Sequence, residues 1–381
     1  MILPATPPEH PVHGLAGTEV APDWPALTRG EVEAVLAGYP ALAGRATLLW
    51  HSPRPFSAAA RVATRAGEVF VKRHPVSVRT PRALAEEHAF MAHLRARGIP
   101  VPLVLANAQG ATAIQHRGWT YEVHALAAGV DLYRDSFSWS PLEDAGRARA
   151  AGRMLAWLHR AAAGFDATTR TPTVLVSRDD VLRAPDVVAA VAAEAAHRPA
   201  LADYLQRRDW RRELQALVPW HRAVQPRLAG LPRLWTHNDW HVSNLCWTGR
   251  GPGAGVAAVL DFGLAAPTFA LYDLATAIER NAVAWLALDG GMDAVWPQTA
   301  NALIDGYAEV LPRVRDQRAL IADLLRVVHI DFALSELEYF HGITHSAANA
   351  DAAWHTFLLG HAAWFATPPG TALLAAIRGA A

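Results

Sequence analysis

Apolar and polar positions alternate through the first third of the chain, and a helical apolar repeat runs through most of the rest. The alternation predicts strands at 46–50 (ATLLW), 58–64 (AAARVAT), 68–73 (EVFVKR), 111–115 (ATAIQ) and 119–126 (WTYEVHAL). Arg65-Ala66-Gly67 and Arg117-Gly118 separate adjacent runs and read as hairpin turns. Two helices belong to the same region. One spans 28–40, capped by Thr28 and closed by Gly38-Tyr39-Pro40; the other spans 81–97, opened by Pro81 and ended by Gly98. After Gly129 the repeat predicts long Ala-rich amphipathic helices at 142–163, 178–196 and 201–227, resuming from about 269 to the end. Three short strand-like runs interrupt them: 233–236 (RLWT), 244–247 (NLCW) and 256–262 (VAAVLDF). The expected architecture is α+β and bilobal. A loose extension covers 1–27, a small antiparallel lobe with one helix 28–126, and a larger helical lobe 127–381.

Composition narrows the function classes. With 35 Lys+Arg against 35 Asp+Glu the net charge is zero, so no electrostatic footprint for nucleic acid or an anionic membrane is expected. Cys246 is the only cysteine, which excludes an intramolecular disulfide. The opening MILPATPPEHPVHG lacks a basic segment followed by an apolar run, and no apolar stretch is long enough to cross a bilayer; a cytoplasmic setting is expected. Among the basic residues Lys72 is the sole lysine, every other one being arginine.

The densest polar chemistry lies in the β interruption, W-T-His237-N-Asp239-W-H-V-S-Asn244-L followed by A-V-L-Asp261-F-G. Asp261 ends an apolar strand with a glycine two residues on, so its carboxylate emerges at a strand–loop junction. Asn244 and Asp261 offer the hard oxygen ligands that Mg²⁺ takes beside substrate phosphates. Asp239 is then free to take a proton from an attacking hydroxyl, with His237 bracing the loop.

H-x-D-x₄-N followed by D-F-G is the phosphoryl-transfer pattern of the protein-kinase-like fold. On His237, Asp239, His241, Asn244, Leu260-Asp261-Phe262 and Tyr272-Asp273-Leu274-Ala275 the chain resembles the aminoglycoside phosphotransferase/choline kinase family. Within that family it looks nearest the homoserine-kinase-like and stress-response-kinase-like branches. The resemblance runs in order from about residue 28 to 285 and implies a bilobal protein-kinase-like fold. It implies ATP or GTP and Mg²⁺ as cofactors, Asp239 as catalytic base, Asn244 and Asp261 as metal ligands, and Asp273 as a structural brace. It also implies Lys72 as the phosphate-binding lysine, held by Glu87 on the following helix. The phosphate-covering turn, 51–61, contains no glycine and offers the Ser57 hydroxyl. Adenine is expected on backbone groups of Val123 and Ala125.

The implied acceptor is a small-molecule hydroxyl on an amino alcohol, hydroxy amino acid, sugar or antibiotic. A Ser/Thr protein kinase of the stress-response type and a non-catalytic nucleotide-binding protein are the alternatives. Trp240 and His241, directly after the base, are expected at the acceptor pocket. Asp331, Ser335, Glu338 and His341 recur along one stripe of a predicted helix, 329–345, and form an expected acidic wall for a hydroxylated or amine-bearing substrate.

Overall fold

The fold was described from a computed structural model covering residues 22–134, 136, 139–166 and 170–379. Five antiparallel strands form the N-terminal sheet: β1 (Thr47–His51), β2 (Ala58–Thr64), β3 (Gly67–Pro75), β4 (Ala113–His116) and β5 (Trp119–Ala125), in the order β1-β2-β3-β5-β4. In this register Lys72 on β3 lies directly opposite Glu122 on β5. Helix α1 (Arg29–Leu36) starts in a capping box, Thr28 with Glu31, and buries Val32, Val35 and Leu36 against the sheet. Helix α2 (Pro81–Ala96) starts from a Thr80 cap with Pro81 in its first turn. Its apolar face leaves the sheet's core and enters the larger one, where Phe90 packs on Phe165 and Trp235 at ring distances of 5.1 and 5.2 Å. So α2 fastens the β lobe to the helical lobe.

The predicted extension is only partly described, since 1–21 lie outside the described residues. The stretch after them is docked: Leu27 is buried, and Trp24 packs edge-on to Trp119 with a ring separation of 5.5 Å.

In the larger lobe, helix α3 (Ala145–Ala162) packs tightly along the helix Pro297–Ala308. The contact is made through glycine, because a methyl group on Gly152 would sit 2.0 Å from the Leu303 carbonyl oxygen and one on Gly306 1.9 Å from that of Arg149. Four short strands interrupt the helices, β6 (Leu234–Thr236) pairing with β9 (Ala266–Thr268) and β7 (Leu245–Trp247) with β8 (Val256–Val259).

Two predicted helices are broken. The stretch 178–196 divides into Asp180–Arg183 and Val187–His197, because Pro185 forces Ala184 into an extended conformation and Asp186 caps a new start. The stretch 201–227 divides into Pro199–Gln206, Trp210–Glu213 and Val218–Val224, with Pro219 opening the last piece. No helix among the described residues is long and apolar enough to cross a membrane.

Candidate active site

The loop after β6 is held from below by one carboxylate. Asp273, in the first turn of the helix Ala270–Asn281, is wholly buried; its Oδ2 accepts from the His237 amide and its Oδ1 from the Asn238 amide, both at 2.8 Å. His159 on α3 adds a third contact to Oδ2 at 2.9 Å, and Tyr307 bonds the far side of that imidazole at 2.8 Å. The close packing of α3 thus reaches the loop through a chain of hydrogen bonds. Asn238 takes a left-handed backbone, φ 63°, that asparagine tolerates better than most residues. Its side chain is held by the Thr236 and Thr268 hydroxyls at 2.8 and 3.1 Å.

His237 is fixed at both ring nitrogens. Nε2 donates to the Leu260 carbonyl at 2.8 Å, and Nδ1 accepts from the Asp239 amide at 3.2 Å. This tautomer ties the turn carrying Asp239 to the strand end carrying Asp261. Asp239 Oδ2 accepts from Asn244 Nδ2 at 2.9 Å, and His241 Nε2 lies 3.6 Å from Oδ1. Arg280 pairs with the same Oδ1. Burial works to raise the Asp239 pKa, but the Arg280 guanidinium, helped by His241 and His237, outweighs it and holds the carboxyl well below the usual range. The group is therefore an ionised carboxylate at neutral pH.

Asp261 also has a left-handed backbone, φ 51°, and accepts from Lys72 Nζ at 3.0 Å. Burial acts to neutralise Lys72, yet Asp261, Glu122 and Glu87 together hold it charged, with a pKa above the ordinary lysine value. Lys72, Asp239, His241, Asn244 and Asp261 line one cavity of about 160 Å³, with Ser57 and Arg54 on the β1–β2 turn forming part of its roof. That turn is folded onto the helix Ile330–Gly342 through Phe56, whose ring lies 5.3 Å from Tyr339 and 5.9 Å from Phe340.

Several expected placements differ. The Lys72–Glu87 pair is not formed: Glu87 accepts from Arg170 at 2.9 Å, and Arg170 also reaches the Gly263 carbonyl, leaving Lys72 to Asp261. Of the two residues expected at adenine, one backbone group each is already bonded, Val123 O to the Leu105 amide at 2.8 Å and Ala125 N to the Leu103 carbonyl at 2.9 Å. Trp240 is fully buried, packed edge-on against His237, and does not line the cavity. The stripe of the helix Ile330–Gly342 faces elsewhere. Asp331 accepts from the Val181 and Leu182 amides at 3.1 and 3.3 Å, Ser335 donates to the Thr173 carbonyl at 3.3 Å, Glu338 pairs with Arg198 at 2.6 Å, and His341 with Asp203 at 2.7 Å. From this helix it is Phe332 and Glu336, one turn apart, that face the cavity.

Arg280, Glu336 and Phe332 are site residues that the sequence reading missed. Arg280 had a signal: it lies seven residues after Asp273, two helical turns along the same face, and that face must look at the loop. Glu336 had none.

The sequence profile of the phosphotransferase enzyme family matches residues 56–320, which includes the loop, Lys72 and Asp261 and stops before the helix Ile330–Gly342. No curated protein matches the sequence. Among solved structures, an aminoglycoside phosphotransferase from Alicyclobacillus acidocaldarius is similar with a TM-score of 0.53 and 17% identity, over 93% of this chain and 96% of its own. Plasmodium vivax ethanolamine kinase is similar with a TM-score of 0.57 and 12% identity, over 86% and 84%. An amicoumacin kinase solved in complex with AMP-PNP, Ca²⁺ and Ami is similar with a TM-score of 0.56 and 12% identity, over 87% and 91%. These likenesses establish a shared kinase-like fold, and with the profile match across most of its length the chain belongs to the phosphotransferase enzyme family.

Proposed function

We propose that this protein transfers the γ-phosphate of ATP or GTP to a hydroxyl group of a small molecule. The reading is carried by one observation: an ionised aspartate, two further oxygen-bearing side chains and a half-buried, charged lysine all face a single cavity. Asp239 is the base. Its carboxylate is oriented by Arg280 and Asn244, and it accepts the acceptor's hydroxyl proton as that oxygen becomes the phosphate-ester oxygen. Lys72 supplies a compact point charge for the phosphates in place of its present partner Asp261. Ser57 adds a hydroxyl from the roof, and His237 and Asp273 keep the loop rigid.

Asn244 and Asp261 fit Mg²⁺, since both line the cavity beside Lys72, both carry a side-chain oxygen, and the Asn244 amide nitrogen is committed to Asp239. Mg²⁺ bound with the nucleotide supplies charge neutralisation of the phosphates and in-line orientation.

The small size of the cavity, about 160 Å³, favours a small acceptor over a protein segment. Phe56 lines it and packs on Tyr339, and a folded polypeptide substrate needs a wider groove at Asp239. The similarity to the amicoumacin and ethanolamine kinases supports antibiotics and amino alcohols as the first classes to screen. Asp239→Asn is expected to lower turnover by about 10²–10⁴-fold while Mg-nucleotide binding stays near wild type. Wild-type turnover in that variant overturns the assignment. Absence of Mg-nucleotide binding in the wild type, measured by calorimetry, overturns nucleotide use altogether.

A further inference from the structure

On the face of the N-terminal sheet that carries Lys72, one buried carboxylate gathers three imidazoles. Glu122 and His124 are alternate residues of β5 and so project to the same face. His88 reaches them from α2, and His74 from β3. His88 Nε2 and His124 Nε2 both lie 2.8 Å from Glu122 Oε2, while His74 Nε2 lies 3.0 Å from Oε1. The ligand-capable atoms of His88, Glu122 and His124 all fall within 4.8 Å of one another. The proposed phosphoryl transfer draws on Glu122 only as one of the charges that hold Lys72 ionised, and on none of the three imidazoles.

We propose that His88, Glu122 and His124 form a binding site for a divalent transition-metal ion of the Zn²⁺ class, separate from Asn244 and Asp261. Two imidazole nitrogens with one carboxylate oxygen are a donor set for Zn²⁺ or its neighbours in the first transition row, and a poor one for Mg²⁺ or Ca²⁺, which take oxygen. Metal–ligand bonds of about 2.0–2.1 Å place tetrahedral donors about 3.4 Å apart, so the two short contacts open by about half an ångström, while the His88–His124 separation starts from within 4.8 Å.

The surroundings already orient the donors. His88 Nδ1 lies 2.9 Å from the Thr112 hydroxyl, which accepts a hydrogen bond from Nδ1–H once Nε2 turns its lone pair to an ion. The proton only changes nitrogen, so the imidazole remains neutral. His74 holds the other carboxylate oxygen and fixes which one faces the site. The His88 and Glu122 side chains are 3% and 1% exposed, whereas His124 is 14% exposed and marks the entry side and the open coordination position. An ion here clamps α2 to β5, beside Glu87 and across the strand pair from Lys72.

The test uses untagged full-length protein stripped of metal, dialysed against Zn²⁺ with excess Mg²⁺, and assayed by elemental analysis. Wild type is expected to retain one equivalent that is lost in His88→Ala and in His124→Ala and kept in Asp261→Asn. Co²⁺ loaded in place of Zn²⁺ is expected to give the visible d–d bands of a tetrahedral ion, absent in His124→Ala. His124 sits at the rim, so its truncation is the variant expected to fold, with far-UV circular dichroism as the check. Three results overturn the proposal: no retained Zn²⁺ in wild type, an equivalent unchanged by His124→Ala, or an equivalent lost in Asp261→Asn. None of these measures phosphoryl transfer, so the two readings fail independently.

Discussion

The loop of Asp239 and the helix Ile330–Gly342 flank the same cavity, and each involves a buried aspartate that accepts from two consecutive backbone amides. Asp273 holds His237 and Asn238 at 2.8 Å; Asp331 holds Val181 and Leu182 at 3.1 and 3.3 Å. The surroundings differ. Asp273 receives a third bond from His159, itself backed by Tyr307. Asp331 has Asp179 and Asp180 nearby, and burial together with those charges pushes its pKa up to about 8 despite the two amides. The same geometry therefore makes a fixed anchor in one place and a proton-dependent contact in the other. Electrostatic context decides what a buried carboxylate does.

The strongest way to break this comparison is to remove the anchor. Asp273→Ala leaves two amides and an imidazole without their partner in a site closed to water, and is expected to cost about 3–5 kcal/mol. Urea unfolding measures the loss. Turnover is expected to fall even under conditions where the variant remains folded, because Asp239 is carried on the released turn. A variant with wild-type stability and rate removes Asp273 from the role of anchor.

Asp331 offers the contrasting test. Its folded pKa lies above the unfolded value of about 3.9, so the folded protein binds the proton more tightly. The contribution of this group is thus fully present below about pH 4 and lost as pH rises through about 8, with a slope of at most about 1.4 kcal/mol per unit. Asp331→Asn removes that slope. Unfolding at pH 5.5 and 8.5 is expected to show the variant gaining on wild type at the higher pH. Parallel pH dependences in the two proteins show that Asp331 is ionised in the fold.

These two aspartates also show what sequence can and cannot reveal. The loop His237–Asn244 is local: its residues are neighbours in the chain, and the spacing alone brings Asp239 and Asn244 to one turn. Asp261 follows just past the end of β8 and Asp273 in the first turn of the helix Ala270–Asn281, where strand–loop–helix order limits their positions. Lys72 was legible from its strand, but its partner was not. Whether Glu87 meets Lys72 or Arg170 depends on how α2 is seated between the lobes, which no periodicity encodes. The stripe of the helix Ile330–Gly342 failed for another reason. From Ile330 to Phe340 every residue is buried, so the helix has no solvent face to define its rotation. A polar stripe then marks internal pairing, here to Arg198, Asp203 and two backbone segments, and carries no information about the cavity.

The smaller effects test that rotation. Ser335 makes one bond, to the Thr173 carbonyl at 3.3 Å, and Ser335→Ala is expected to cost about 1 kcal/mol or less and leave acceptor KM unchanged. Glu336 is the next residue, and a step of one residue rotates by about 100° on a helix, enough to turn its carboxylate to the cavity beside Phe332. With whichever acceptor the screen returns, Glu336→Gln is expected to move KM several-fold with a smaller change in kcat, since Asp239 and Lys72 are untouched. Steady-state kinetics on the two neighbouring variants reads out which side of the helix meets substrate. If Ser335→Ala moves KM and Glu336→Gln does not, the acceptor lies on the face the sequence stripe indicated, and the cavity is not where it binds.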